Sequence, residues 1–237
     1  PFMDKPLPER CNLLVELSAL RWQQKSGFAA KRLGRADWST CCHQSVLEVL
    51  GYSRNRTVMH KVASHYAIVD FADSSDADSI YHQFDGDWRL SGCRPANHPK
   101  LRLKQYAQIC SADSNWPGQL LDILRNSPQI ELENAAEFRK AARTKELLSV
   151  ISEQVFQGVI GSKRLNTLLC DAVFPLAHNV LGEGWQHCWQ HWYPGDYPDA
   201  FSRFYRKAGL ADTPVPMSNG MLQGILVLFA SRGDLLE

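Results

Sequence analysis

Apolar residues recur three and four positions apart along most of this 237-residue chain, and that repeat constrains the fold more than any other feature. Leu13, Leu17 and Leu20 share one face of a helix that Asn12 can cap, and similar amphipathic segments follow as far as Phe229. The alternating patterns typical of strands are scarce. We therefore predict an all-α domain of many helices that pack as antiparallel neighbours through short loops, with little or no strand.

Interruptions of the helical pattern predict how the chain is divided. Residues 1–12 contain three prolines and predict an extended lead-in, whereas residues 13–237 predict a single helical domain. The sequence Asn126-Ser127-Pro128 breaks the pattern and indicates a sub-boundary near residues 126–132. Because the chain begins with Pro rather than Met, we expect it to be part of a longer protein.

The segment that follows Asp37 predicts two helices joined by a tight turn. Asp37 can cap the first helix, Gly51 is a typical C-terminal stop, and Ser53 can open the second helix. Such a pair is either an ordinary helical hairpin or the shape of a helix-turn-helix unit that contacts DNA. The second helix exposes three basic residues, which are Arg54, Arg56 and Lys61.

The hexapeptide Arg94-Pro95-Ala96-Asn97-His98-Pro99 predicts a shaped turn, since its two prolines cannot both lie inside a regular helix. Pro99 fits the first position of a helix, with Asn97 or His98 as the cap. The first turns of that helix carry Lys100, Arg102 and Lys104, although cations oppose the helix dipole there. This arrangement predicts either a nearby anion, from the protein or from a ligand, or a solvated basic face.

The net charge of +1 argues against a uniformly basic nucleic-acid-binding protein, but the charges are segregated. Residues 21–64 hold eight Lys and Arg against two acids. Residues 70–87 then hold six aspartates and no Lys or Arg, and residues 89–104 hold five basic residues and no acid. Such blocks either pair with one another or mark a binding surface.

His187 and His191 stand four residues apart, so a helix would place both on one face, where they are weak candidates for metal ligands. Trp185, Trp189 and Trp192 follow the same spacing on the neighbouring face. An aromatic stripe of this kind is more often part of a core, so we predict no metal and no cofactor.

The seven cysteines have irregular spacing and form no C-x-x-C motif, which indicates reduced thiols, most of them in the core. No apolar run approaches the roughly 20 residues that span a bilayer. These features predict a cytoplasmic protein that does not enter a membrane.

Three segments carry a resemblance to a known family. They are Leu47 to Arg56, then Arg94 to Pro99 with Arg102-Leu103, and finally Arg164-Leu165-Asn166 leading to Phe174-Pro175. Together they resemble a bacterial domain-of-unknown-function family, number 2851, over roughly Arg21 to Leu228. The R-P-A-N-x-P motif is the most specific part of the resemblance.

Members of that family usually carry a further N-terminal region with G-P-D and V-E-I-H stretches, which is similar to the carboxylate core of restriction-type nucleases. That region and a cysteine pair common near the family's C-terminus are absent from this sequence. The resemblance therefore implies a helical part of a longer, nuclease-like bacterial protein, but it assigns no activity to these residues.

Three functional hypotheses follow from the residues. The first is a non-catalytic helical module that contacts nucleic-acid phosphates through Arg54, Arg56, Lys61, Arg94, Lys100, Arg102 and Lys104. The second is a small-ligand or enzymatic pocket around the R-P-A-N-H-P turn, with polar candidates Asn55, Asn97, His98 and Asn166. The third is a structural or protein-partner domain. No catalytic nucleophile-and-base pair or acid pair is recognisable.

Overall fold

The structure, a computed structural model, describes residues 2–72, 76–127, 145–192, 199–213 and 219–231. Its α-helices are α1 (Leu7–Leu33), α2 (Trp38–Leu50), α3 (Tyr52–His65), α4 (Asp76–Gln83), α5 (Pro99–Ala112), α6 (Trp116–Asn126), α7 (Lys145–Val150), α8 (Ser162–Leu168), α9 (Phe174–Leu181), α10 (Gly184–His191), α11 (Asp199–Lys207) and α12 (Asn219–Ser231). Short 3₁₀ turns cover Phe2–Asp4, Ile68–Phe71, Pro95–Asn97 and Leu210–Asp212, and π-helical turns cover Ile151–Val155 and Leu169–Val173. These ranges contain no strand, which confirms the predicted all-α class.

Helix α1 begins at Leu7, so the prediction of an extended lead-in through residue 12 was wrong. Pro8 lies in the first turn of the helix, where a residue without an N–H group leaves no hydrogen bond unmade. Tertiary contacts then hold this turn in place. Cys11 and Leu14 are buried, and Arg10 Nη1 donates a hydrogen bond to the Ala208 carbonyl at 2.5 Å.

The predicted helical hairpin is confirmed by α2 and α3, with Gly51 between them. Asp37 caps α2 by accepting a hydrogen bond from the Thr40 amide at 2.7 Å. A Cβ atom at Gly51 would lie 2.7 Å from the Asn55 carbonyl oxygen, so only glycine fits the turn without displacing α3. From Cys41 to Leu50 α2 is buried at every residue but Gln44, which makes it the central helix of the fold.

Helix α5 begins at Pro99, as predicted, and His98 Nδ1 caps it by accepting a hydrogen bond from the Lys100 amide at 3.3 Å. The predicted anion near its first turns is a carboxylate of the protein. Asp78 of α4 lies 3.5 Å from Lys100 Nζ and 3.2 Å from Lys104 Nζ. The aspartate-rich block and the basic block after it therefore pair with one another at this point.

Arg102 is buried, contrary to its predicted place on the basic face of α5. Its Nη2 donates a hydrogen bond to the Tyr52 hydroxyl, and its Nη1 donates one to Gln105 Oε1, each at 2.8 Å. A second buried guanidinium, that of Arg164, lies 3.3 Å from the centre of the Tyr52 ring. Arg102 points inward because it lies one turn before Tyr106, which is a core residue.

The apolar side chains form two clusters that α1 connects. The larger cluster extends from the second half of α1 to α10 and includes the side chains of Trp116, Trp185, Trp189 and Trp192. The smaller cluster joins Phe2 and the first half of α1 to α11 and α12. Most of the predicted sub-boundary at 126–132 lies outside the described residues, and Leu124 and Ile151 on its two sides belong to the same cluster.

Six of the seven cysteine thiols are buried and the seventh, Cys93, is half-buried, which confirms that most of them are core residues. All seven are free thiols. Within the described ranges, not one helix combines the length and the apolar character that crossing a bilayer requires.

His43 of α2 is a buried histidine whose two ring nitrogens both have partners. Its Nε2 donates a hydrogen bond to the Tyr66 carbonyl at 2.8 Å, so its Nδ1 accepts one from the Tyr106 hydroxyl at 2.5 Å. Burial lowers the pKa of His43 from its ordinary value of 6.5, and the hydrogen bond to Tyr66 opposes this shift only in part. The ring is therefore neutral in the folded protein at neutral pH.

We expect His43 to make the fold less stable in acid. An unfolded His43 takes up a proton below pH 6.5, while the folded residue does so only at a lower pH. The contribution of the neutral ring to the free energy of unfolding is complete above pH 6.5. It is lost as the pH falls toward the folded pKa, by at most about 1.4 kcal/mol per pH unit.

Urea unfolding from about pH 8 to about pH 5 measures this loss. His43→Gln should show a shallower pH dependence of the free energy of unfolding than the parent protein. Equal slopes for the parent and His43→Gln would contradict a neutral, buried His43.

Candidate functional site

A cleft with a volume of about 530 Å³ opens between α1, α2, α3 and the start of α9. Clefts that bind small molecules have volumes of about 300 to 1,000 Å³, so this one has the size of a ligand site. Its walls carry an unusual density of charge. The charged side chains that line it are Arg21, Lys25, Arg32, Glu48, Arg56 and Asp171, with His60 beside them.

One face of α1 forms the longest wall of the cleft. Arg21, Lys25, Phe28 and Arg32 follow one another at spacings of four, three and four residues, so the helix aligns them on one side. All four side chains line the cleft. A single helix thus presents three cations and one aromatic ring to whatever occupies the cleft.

Glu48 of α2 is the centre of the charge cluster and is only 5% exposed. Its Oε1 accepts hydrogen bonds from Arg32 Nη2 and from His60 Nδ1, the latter at 2.9 Å. Its Oε2 accepts two from Arg56, from Nε at 3.2 Å and from Nη2 at 3.1 Å. Arg32 Nη1 also donates a hydrogen bond to Ser45 Oγ at 2.9 Å. The single buried carboxylate of Glu48 therefore orients three side chains, those of Arg32, Arg56 and His60.

Asp171 lies at the opposite side of the cleft, in the π-helical turn Leu169–Val173. Pro175 lacks the N–H group that would bond to the Asp171 carbonyl in a regular helix, and the wider turn accommodates this loss. Asp171 Oδ1 accepts a hydrogen bond from Lys25 Nζ at 2.6 Å and one from Gln223 Nε2 at 3.4 Å. Turns of this kind occur frequently at functional sites.

The cleft is positively charged. Among the described residues that line it, four Lys and Arg side chains face two carboxylates, which leaves a surplus of two positive charges. Arg21 uses only its Nε, which donates to Gln223 Oε1 at 3.2 Å, and within the described part of the chain its two Nη groups have no partner. The side chain of Arg56 is 56% exposed. A guanidinium group that is partly unpaired, like that of Arg21, or exposed, like that of Arg56, can bind a carboxylate or a phosphate in a bidentate manner.

Of the predicted phosphate contacts, only Arg56 lies in this cleft. Lys61 pairs with Asp87 at 2.8 Å, and Lys100 and Lys104 pair with Asp78. Arg54 Nη1 donates to the Ser91 carbonyl, and Arg102 is buried, so it cannot contact a phosphate as predicted. Arg94 is exposed and makes no side-chain hydrogen bond within the described residues.

The predicted polar residues serve separate partners. Asn55 is buried and binds the backbone of Arg89, accepting from its amide at 2.8 Å and donating to its carbonyl at 3.3 Å. Asn166 is also buried and accepts a hydrogen bond from Trp192 Nε1 at 2.7 Å. His98 caps α5, and Asn97 contributes its backbone amide, which donates to the Arg94 carbonyl at 2.8 Å. The described contacts bring none of these side chains to a common partner.

The three tryptophans near His187 and His191 are buried, in agreement with the aromatic-core interpretation. His187 is exposed and His191 is half-buried on α10. Within the described ranges, no group of three His, Cys, Asp or Glu side chains is placed to hold a metal ion.

The cleft residues that the sequence interpretation missed are Arg21, Lys25, Phe28, Arg32, Glu48, His60 and Asp171. The sequence contained one signal of this cleft. The basic block of residues 21–64 contains Arg21, Lys25 and Arg32 at helical spacing, and Glu48 is one of its two acids. Asp171 had no such signal, because 146 residues separate it from Lys25.

The resemblance to domain-of-unknown-function family 2851 rests on sequence motifs and remains a prediction. No protein-family model, curated protein or solved structure significantly matches this chain.

Proposed function

We propose that this protein binds a small anionic ligand, with a phosphate or carboxylate group, in the cleft between α1, α2 and α3. The observation that carries the proposal is the surplus of two positive charges among the described residues that line the cleft. Glu48 fixes Arg32 and Arg56 before any ligand arrives, so little side-chain entropy remains to be lost on binding. Arg21 is the principal anion contact, because its Nη groups have no partner within the described residues.

A small ligand agrees with the cleft better than a nucleic-acid duplex does. The surplus cations line a concave cleft, whereas duplex phosphates are contacted by Lys and Arg spread along an exposed surface. Three of the predicted nucleic-acid contacts, Lys61, Lys100 and Lys104, are already paired with aspartates. Nucleic-acid binding therefore remains the second candidate and a distinct outcome of the same experiment.

The test is calorimetric titration of the purified protein with inorganic phosphate, pyrophosphate and succinate at low ionic strength. We expect at least one of them to bind, and Arg21→Ala to weaken its binding about ten-fold or more. That factor corresponds to the loss of a hydrogen bond to a charged group, about 1.5 to 3 kcal/mol.

Lys61→Ala is the matched control, because it also removes one positive charge but from an ion pair outside the cleft. It should leave anion binding unchanged. Titration with labelled single-stranded and duplex DNA completes the comparison. Binding of DNA that Lys61→Ala weakens and Arg21→Ala does not would favour the nucleic-acid hypothesis over the anion cleft.

A further inference from the structure

We infer that the ligand of this cleft is a nucleoside monophosphate, whose base stacks on Phe28 while its phosphate binds Arg21 and the neighbouring cations. This inference rests on the proposed anion-binding function and adds the ligand's chemical class to it. The feature that motivates it is an aromatic ring among charges. Phe28 lines the cleft and is 53% exposed, although the residues on either side of it along the same face of α1 are charged.

The Phe28 ring is held in position on one of its faces. The guanidinium carbon of Arg32 lies 4.6 Å from the ring centre, within the range of a cation–π contact. Arg32 is itself fixed by Glu48 and Ser45. A ring that is covered on one face and half-exposed overall provides a ready platform for a second planar group on its other face.

The positions of the cations relative to Phe28 match a ligand that has a base and a phosphate. Lys25 lies three residues before Phe28 on α1 and Arg21 lies seven before it, which corresponds to roughly 5 and 10 Å along the helix axis. A ribose group spans the gap between a stacked base and a phosphate at such a separation. Gln24 and Thr57 also line the cleft and offer uncharged hydrogen-bonding groups to the ribose hydroxyls or the base edge.

A simple dicarboxylate or inorganic phosphate would use the cations but would leave Phe28 exposed. The exposed ring therefore distinguishes the ligand classes. Stacking on an aromatic side chain contributes to binding whichever base is present, so the contact selects for a base without selecting among bases.

The experiment compares adenosine 5′-monophosphate, ribose 5-phosphate and inorganic phosphate by calorimetric titration. We expect the nucleotide to bind roughly 5- to 150-fold more tightly than ribose 5-phosphate, the factor that stacking of one base supplies. In Phe28→Ala that advantage, measured against ribose 5-phosphate in the same variant, should fall to less than about two-fold. Phe28→Trp should restore the advantage, and the nucleotide should quench the fluorescence of the new indole.

The outcomes separate this inference from the proposed function. If ribose 5-phosphate and phosphate bind through Arg21 but the nucleotide binds no more tightly, the inference is wrong and the anion cleft stands. If the nucleotide advantage persists in Phe28→Ala, the base binds elsewhere and the inference is also wrong. If none of the three ligands binds, the inference is wrong, and the proposed function also fails unless pyrophosphate or succinate binds through Arg21.

Discussion

Replacing Glu48 with glutamine is expected to lower the free energy of unfolding by about 3 to 5 kcal/mol, the cost of removing one partner from a buried ion pair. Glu48 is 5% exposed and the side chain of Arg32 is 13% exposed, so the guanidinium left behind would regain only part of its hydration, from the cleft. Arg56 and His60 are about half exposed and can turn toward water, so their lost contacts add little. Urea unfolding at neutral pH measures the loss.

Asp87→Asn is the matched control for Glu48→Gln. It removes one carboxylate from the Lys61–Asp87 pair, whose side chains are 50% and 45% exposed. Exposed pairs of this kind contribute about 0 to 1 kcal/mol, so the control should unfold close to the parent protein. If the two variants proved equally stable, the buried cluster around Glu48 would not exist in solution.

Replacing Gly224 with alanine is expected to destabilise the fold by about 1 to 3 kcal/mol, although alanine is the better helix former. Gly224 lies in α12 where that helix crosses α1. A Cβ atom there would lie 2.5 Å from the Leu14 carbonyl oxygen and 2.5 Å from Ser18 Oγ. The Leu14 carbonyl is part of the backbone of α1 and cannot rotate away, so the two helices would have to separate. Such a separation would disturb the packing of α1, which connects both hydrophobic clusters.

Gly27→Ala, in α1, is expected to stabilise the protein, whereas Gly224→Ala destabilises it. Gly27 is exposed, and a Cβ atom there would have no neighbour within 4 Å. The change should therefore stabilise the protein by up to about 1 kcal/mol, which is the difference in helix propensity. Thermal unfolding of the two variants should shift in opposite directions, and a shift of Gly224→Ala in the same direction as Gly27→Ala would contradict the close contact of α1 and α12.

The candidate site could be predicted only in part. Helical spacing places Arg21, Lys25 and Arg32 on one face of α1, and the excess of basic residues in that block marks it as unusual. The same reasoning could not show which cations remain available to a ligand. Lys61 is paired with Asp87 and Arg21 has free Nη groups within the described residues, yet in sequence both belong to the same basic block.

The sequence by itself determined the helical class and several helix ends. Asp37 caps α2 through a residue three positions away, Gly51 ends it, and Pro99 opens α5. These helix ends can be predicted from the sequence because caps and stops depend on backbone conformation and on hydrogen bonds within one turn of the chain.

Only the tertiary structure decided where α1 begins, that Arg102 is buried, and that a cationic cleft forms around Glu48. Each of these depends on partners far away in sequence, such as Ala208 for Arg10 and Tyr52 for Arg102. A charged side chain is exposed or buried, paired or available, according to which groups the fold brings within a few ångströms of it. Local spacing does not contain that information.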